Sequence, residues 1–278
     1  MLRSTHNFAA RSLTAALDDV SGQWALVTGA SSGFGVEFAT LLAERKVNLV
    51  LAARRKEPMA ILAERLRQQH GVQIVVEGID LSVAGAGVEL KSRLDARGIA
   101  VDVLVNNAGY GVYGSFVDQP LRRTLEMLQL NVLGMTELTH VFAADMVTRR
   151  RGHILLIASL LGYQAVPGYA AYAASKSYVL LFGEALHAEL KPLGIAVTVL
   201  SPGASSTSFA SVAAQKDTPV LRRMMMKPRQ VAHTGILAML GRRSNVVAGL
   251  GNKMVVFSNR FTPRRVQRRL MQRVMSGE

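Results

Sequence analysis

Cysteine is absent from this chain, which excludes disulfides and thiolate-held metals and leaves the redox compartment unread. Histidine is sparse. The six residues, at 6, 70, 140, 153, 187 and 233, include no i, i+4 pair of the kind a helix-borne metal site uses, so no metal is expected. No apolar run approaches the ~20 residues of a membrane-spanning helix. Negative charge is also missing over a long stretch: from Thr218 to Gly277 there are 13 Lys and Arg and no Asp or Glu. From Met1 to Lys216 the balance is nearly even, with 20 basic and 17 acidic residues. The net charge of +14 therefore belongs to the C-terminal part, and suggests an anionic surface or a substrate with an anionic handle. That part is poor in aromatics and carries no recognised nucleic-acid motif, so no nucleic acid is expected.

Hydrophobic residues form 49% of 278, enough for one substantial core. Six short apolar runs, "WALVTG", "VNLVLAA", "VQIVV", "VDVLVNN", "GHILLIAS" and "IAVTVLSPG", end in small or polar residues. Their near-continuous apolarity fits parallel strands covered on both faces. Stretches such as Val36 to Arg45, Met59 to Gln69 and Val88 to Arg97 lie between them with helical spacing. The alternation predicts an α/β fold, a Rossmann-type doubly wound parallel sheet, as one domain over residues 22–258. Residues 1–21 are read as a leader, and 259–278 as a basic tail. The first seventeen residues hold two arginines and no acid, like an organelle transit peptide, but lack the apolar segment of a secretion signal. A frayed leader on a cytoplasmic chain is the reading adopted, with mitochondrial targeting as its alternative. The interval from Gly203 to Lys227 is long for a connection inside a compact domain and is read as a lid at about 204–227. It ends where Pro228 opens a helix. Phe209, Val212, Leu221 and Met224 to Met226 would give the lid an apolar, adaptable lining, unless they pack as an ordinary insertion.

After the first strand, "TGASSGFG" places glycines at 29, 33 and 35 before a helical pattern. Such a turn lets backbone N–H groups approach a phosphate, and Ser31 and Ser32 add hydroxyl donors. The second strand ends in Arg54 and Arg55. An acid at this place would bind a ribose 2′-hydroxyl; an arginine suits a 2′-phosphate, so NADP(H) is favoured over NAD(H), unless the pair is a solvated basic loop. Asp80 after the third strand could accept from an adenine amino group or serve a turn or helix cap. The stretch "YAAYAASK" offers two phenols and one cation. On a helix Lys176 stacks one turn from Tyr172 and two turns from Tyr169, so a reactive pair would be Tyr172 with Lys176.

Taken in order, "TGASSGFG" at 28–35, "NNAG" at 106–109, Asn131 in "LNVLG", Ser159, "YAASK" at 172–176 and "SPG" at 201–203 resemble the short-chain dehydrogenase/reductase family. The likeness covers about Gln23 to Thr207. It implies a catalytic set of Asn131, Ser159, Tyr172 and Lys176, with Tyr172 as general acid–base. Ser159 would hold the substrate carbonyl, and Asn131 would position water for proton resupply to Lys176. A free phenol titrates near pH ~10, and the Lys176 ammonium together with an oxidised nicotinamide would bring that value towards working pH. Gly29, Ser31, Ser32, Gly33, Phe34 and Gly35 would cradle the dinucleotide, and Arg54, Arg55 and Asp80 would take its adenosine end. Asn107, Ala108 and Gly109 would lie beside the adenine ribose and the central sheet. Lys176 would reach the nicotinamide ribose, with Pro202 and Gly203 as the nicotinamide wall and Thr207 at the carboxamide. Phe34 stands where a branched aliphatic is commoner, and Ser32 where many NADP-preferring relatives carry a basic residue, which leaves Arg54 most of the 2′-phosphate recognition. Tyr169 would be a wall of the pocket.

The expectation is an oxidoreductase that interconverts a carbonyl and an alcohol on an apolar or lipid-like small molecule, as a homo-oligomer. An NAD-linked alcohol dehydrogenase and a non-catalytic dinucleotide sensor are the alternatives. From Arg264 to Met275, helical stepping gathers Val266, Leu270, Met271, Val274 and Met275 on one half and Arg265, Arg268, Arg269 and Arg273 on the other. Such a helix could lie on an anionic membrane surface or pack its apolar half on the parent domain.

Overall fold

The computed structural model describes residues 20–206, 213 and 225–276. Seven strands form one parallel sheet in the order β3-β2-β1-β4-β5-β6-β7. They are β1 (Trp24–Thr28), β2 (Asn48–Ala53), β3 (Ile74–Gly78), β4 (Val101–Asn106), β5 (Gly152–Ile157), β6 (Ile195–Ser201) and β7 (Asn245–Val247). The first six are the apolar runs of the sequence. The seventh has only three residues, too few to show a period. The order reverses direction between β1 and β4, so the connections leave a crevice at the strand C-termini there.

Successive residues of each strand face opposite layers. Ala25 and Val27 belong to one buried cluster with α1 (Gly33–Glu44) and α2 (Lys56–His70). Leu26 belongs to a second, with α3 (Ala86–Asp95), α5 (Met135–Arg149) and α6 (Ala170–Leu190). Between β4 and α5 lies α4 (Leu121–Leu128), which runs into a π-helical turn, Gln129–Gly134. Helix α7 (Pro228–Leu240) opens at its proline and joins the first layer, burying Val231, Ile236 and Met239. Val20 is fully buried in that same layer, two residues ahead of Gly22.

Beyond β7, α8 (Leu250–Ser258) and α9 (Arg264–Ser276) fold back over the C-terminal edge of the sheet. A third, smaller apolar cluster there joins Val112, Met127, Val166, Tyr169, Tyr172 and Met275, with Met271 packed against it. The tail helix thus takes the packed alternative for Met271 and Met275, while Val266 and Leu270 stay exposed. Among the described residues no helix is long and apolar enough to cross a membrane. Thr207 and the lid positions Phe209, Val212, Leu221 and Met224 lie outside the described residues.

Candidate active site

A cleft of about 1230 Å³ opens above the carboxyl ends of the strands. Its base follows from strand endings: Gly29 after β1, Arg54 after β2, Ile79 and Asp80 after β3, Asn107 to Gly109 after β4, Ala158 and Ser159 after β5, and Pro202 and Gly203 after β6. Ser31, Ser32, Gly33 and Phe34 line the side where α1 begins. Gly29 and Gly33 hold positive φ angles of 66° and 56°, a conformation that favours glycine. A Cβ on Gly35 would stand 2.3 Å from the Gly29 carbonyl oxygen. The turn is therefore closed backbone to backbone, and the N-terminus of α1 is left facing the cleft. Free N–H groups and hydroxyls in this place fit a dinucleotide pyrophosphate.

Arg54 and Arg55 both border the cleft. The Arg55 guanidinium donates to Ser31 Oγ at 3.4 Å, and Arg54 lies 4.0 Å from a carboxylate oxygen of Asp80. The other oxygen of Asp80 accepts from the backbone N–H (3.0 Å) and hydroxyl (2.6 Å) of Ser82. Asp80 thus performs the turn-forming role, and keeps one oxygen towards Arg54. Asn107 works partly for the sheet: its side-chain amide donates to the Thr28 carbonyl at 2.8 Å. The Thr28 hydroxyl accepts from the backbone N–H groups of Asn107 and Ala108, each at 2.9 Å. Thr28 opens the "TGASSGFG" stretch, but no sequence pattern gave its hydroxyl a role. It is what joins the first and fourth strand ends beneath the cleft.

At the other end, Ser159, Tyr172 and Lys176 come together, all buried and all on the cleft. Ser159 Oγ accepts from the Leu161 backbone N–H at 3.2 Å, and the Ser159 hydroxyl hydrogen-bonds the Tyr172 phenol. Lys176 Nζ donates to the Ile157 carbonyl at 2.8 Å and lies 5.8 Å from the centre of the Tyr172 ring. Burial pushes the Tyr172 phenol well above its ordinary value, with the Ser159 bond pulling the other way. Burial also pushes the Lys176 ammonium down to about 8. The expectation of a lowered phenol included the oxidised nicotinamide beside the Lys176 ammonium, and so concerns the cofactor-bound enzyme. In the protein alone, desolvation of the buried phenol outweighs the Ser159 hydrogen bond.

Asn131 is buried in the π-helical turn. Its Oδ1 accepts from the Tyr110 N–H at 3.2 Å, and its Nδ2 donates to the Tyr110 carbonyl (2.9 Å) and to Ser175 Oγ (3.2 Å). Ser175 in turn donates to the Tyr172 carbonyl at 2.7 Å. Asn131 is thus tied to the first turn of α6 through Ser175. It is not part of the cleft wall. Tyr169 corrects the expectation of a pocket wall. It is fully buried behind Tyr172, with ring centres 5.5 Å apart, and 5.0 Å from Tyr113. It supports the reactive phenol from the rear and does not line the cleft.

The remaining wall was not legible in the sequence. Tyr110, Arg122 and Arg123 border one side, and Val255, Asn259, Leu270, Met271 and Val274 of the α8–α9 pair close the other. The Tyr113 hydroxyl donates to the Met275 carbonyl at 2.9 Å, which fixes the end of α9 against the tyrosine cluster.

The short chain dehydrogenase family model matches residues 23–218. This chain is a short-chain dehydrogenase/reductase. It is 34% identical to the very-long-chain 3-oxoacyl-CoA reductase of Anas platyrhynchos over 204 residues, which are 71% of this chain and 64% of that one. The chain spans under two thirds of the length of the reductases of that name it matches. Among solved structures, a short-chain dehydrogenase from Sphingobium yanoikuyae in complex with NADPH superposes with a TM-score of 0.77 at 30% identity, covering 86% of this chain and 93% of that one. A family member from Burkholderia phymatum in complex with NAD gives 0.78 at 26% identity, covering 90% and 96%. The chain is accordingly an NAD(P)-dependent oxidoreductase of the carbonyl/alcohol type acting on a small molecule.

Proposed function

We propose that this enzyme uses NADP(H) to interconvert a carbonyl and an alcohol on an apolar, lipid-like substrate, with Tyr172 as the acid–base. The observation that carries the reading is the buried Ser159–Tyr172–Lys176 group on the cleft floor, between an arginine-bearing end and an apolar end. When bound, the nicotinamide supplies or takes up the hydride. Ser159 orients the substrate oxygen, Tyr172 gives or takes its proton, and Lys176 holds positive charge beside the phenol. Asn131 positions the first turn of α6 through Ser175. The turn from Gly29 to Gly35 would hold the pyrophosphate, Asn107 to Gly109 would flank the adenine ribose, and Pro202 and Gly203 would back the nicotinamide.

Arg54 and Arg55, with no acid at the end of β2, support the phosphorylated cofactor. Leu270, Met271, Val274 and Val255 across the cleft support an apolar substrate. The name of the duck relative suggests 3-oxoacyl thioesters as the first to test. Initial rates with NADPH and NADH, on apolar ketones, aldehydes and 3-oxoacyl thioesters, decide the matter. NADPH should bind the more tightly, and Arg54→Asp should weaken NADPH strongly and NADH little. Tighter NADH binding by the unmodified protein would overturn the arginine argument. NADPH binding without turnover of any substrate would favour a sensor.

A further inference from the structure

Helix α8 is amphipathic the wrong way round for a helix at rest on a globular protein. Its single buried residue is polar: Asn252 donates to the Ala248 carbonyl at 2.7 Å. Its outer side carries Leu250, Met254 and Phe257, exposed at 79%, 72% and 59%, and Phe261 in the following turn is 76% exposed. These four fall at i, i+4, i+7 and i+11, a single stripe at helical spacing. Phe257 and Phe261 pack edge to face, 5.3 Å between ring centres. The helix cannot roll to hide the stripe. Asn252 is wedged against Gly203, where even a Cβ would stand 2.3 Å from the Asn252 amide nitrogen. Val255 and Asn259, on the inner side, form part of the cleft wall.

Exposed apolar stripes of this size mark an interaction surface, and the surrounding charge says with what. Lys253, Arg260, Arg264, Arg265 and Arg268 are exposed and make no ion pair with a described residue. No acidic residue lies anywhere between Thr218 and Gly277. A second copy docked stripe to stripe would set these cations against their own kind. An anionic lipid leaflet satisfies both features, taking the apolar side chains among its acyl chains and the cations at its phosphates and carboxylates. We infer that the outer face of α8 and the Phe261 turn form a membrane-docking surface for anionic bilayers, displacing the amphipathic α9 face from that role. The inner face of the same helix borders the active-site cleft, so docking would set that wall of the cleft against the lipid.

Sedimentation of the full chain with mixed phosphatidylserine–phosphatidylcholine vesicles, and with phosphatidylcholine alone, tests this. Pelleting should be at least roughly ten-fold stronger with the mixed vesicles and should fall as salt is raised. Phe257→Asp/Phe261→Asp should lose roughly ten-fold in vesicle binding while its melting temperature and NADPH affinity stay unchanged. Arg264→Gln/Arg265→Gln/Arg268→Gln should lose the preference for the anionic lipid. No pelleting of the unmodified protein, or equal pelleting of the phenylalanine variant, overturns the inference. So does a phenylalanine variant that changes the sedimentation coefficient without vesicles, which would make the stripe a protein–protein interface. None of these readouts uses turnover, so a failed substrate assignment would leave the vesicle result standing.

Discussion

At the scale of single residues, the two tyrosines of "YAAYAASK" are separated by what each one touches. Tyr172 meets Ser159 and the cleft, while Tyr169 meets only other groups behind it. Tyr172→Phe should lower turnover by at least the ~100-fold typical of a lost general acid, with NADPH affinity retained. Tyr169→Phe should change turnover far less, and similar losses in the two would remove Tyr172 from its role. The helical spacing to Lys176 was readable in sequence, and it selected the phenol that the structure puts on the cleft. The spacing could not reveal the depth of burial, which raises the Tyr172 phenol in the protein alone.

Lys176 makes that depth measurable. Its folded value of about 8 lies below the ordinary 10.5. Below about 8 both folded and unfolded chains hold the proton, and the fold carries the full cost of a buried cation. Between the two values only the unfolded chain keeps the proton, so this group's contribution to stability rises with pH; above 10.5 the cost is gone. The stability of Lys176→Met relative to the unmodified protein should thus be greatest below pH 8 and shrink by up to about 3 kcal/mol across that window. Urea unfolding of the two cofactor-free proteins at several pH values checks it. A difference that grows with pH would mean the ammonium is stabilised where it lies.

At the scale of elements, the strand-to-helix turn at β1 is the most constrained part of the cleft. Gly35→Ala places its new methyl 2.3 Å from a backbone oxygen and 2.7 Å from the carbon that carries it. Neither can yield as a flexible side chain would, so α1 must lift from the sheet. The variant should lose at least roughly ten-fold in NADPH affinity, together with a lower melting temperature, by fluorescence titration and thermal melts. Unchanged affinity would show that the turn does not set the cradle. This element was legible because glycine has few other reasons to recur at that spacing. The π-helical turn around Asn131 was not, since nothing in "QLNVLG" distinguishes a π-helical turn from an α-helical one.

At the scale of the whole molecule, sequence and structure agree where a residue's neighbours are local and part where they are distant. Continuous apolarity marked six strands because each buries both faces. The α8–α9 pair escaped because the apolar half of α9 had two plausible partners. Only the meeting of Met271 and Met275 with the tyrosine cluster, more than a hundred residues earlier in the chain, chose between them.

The position of β1 in the middle of the sheet also bears on how the chain is made. One neighbour, β2, follows it closely, but the bond from Thr28 to Val105 on its other side spans 77 residues. At ~5–20 residues per second, a ribosome needs roughly 4–15 s to deliver that second neighbour. Throughout that interval a strand destined for the interior presents an open, apolar edge to whatever it meets, the condition under which nascent chains aggregate. The crossing that creates the cofactor crevice is thus also the step at which a new chain most needs a chaperone.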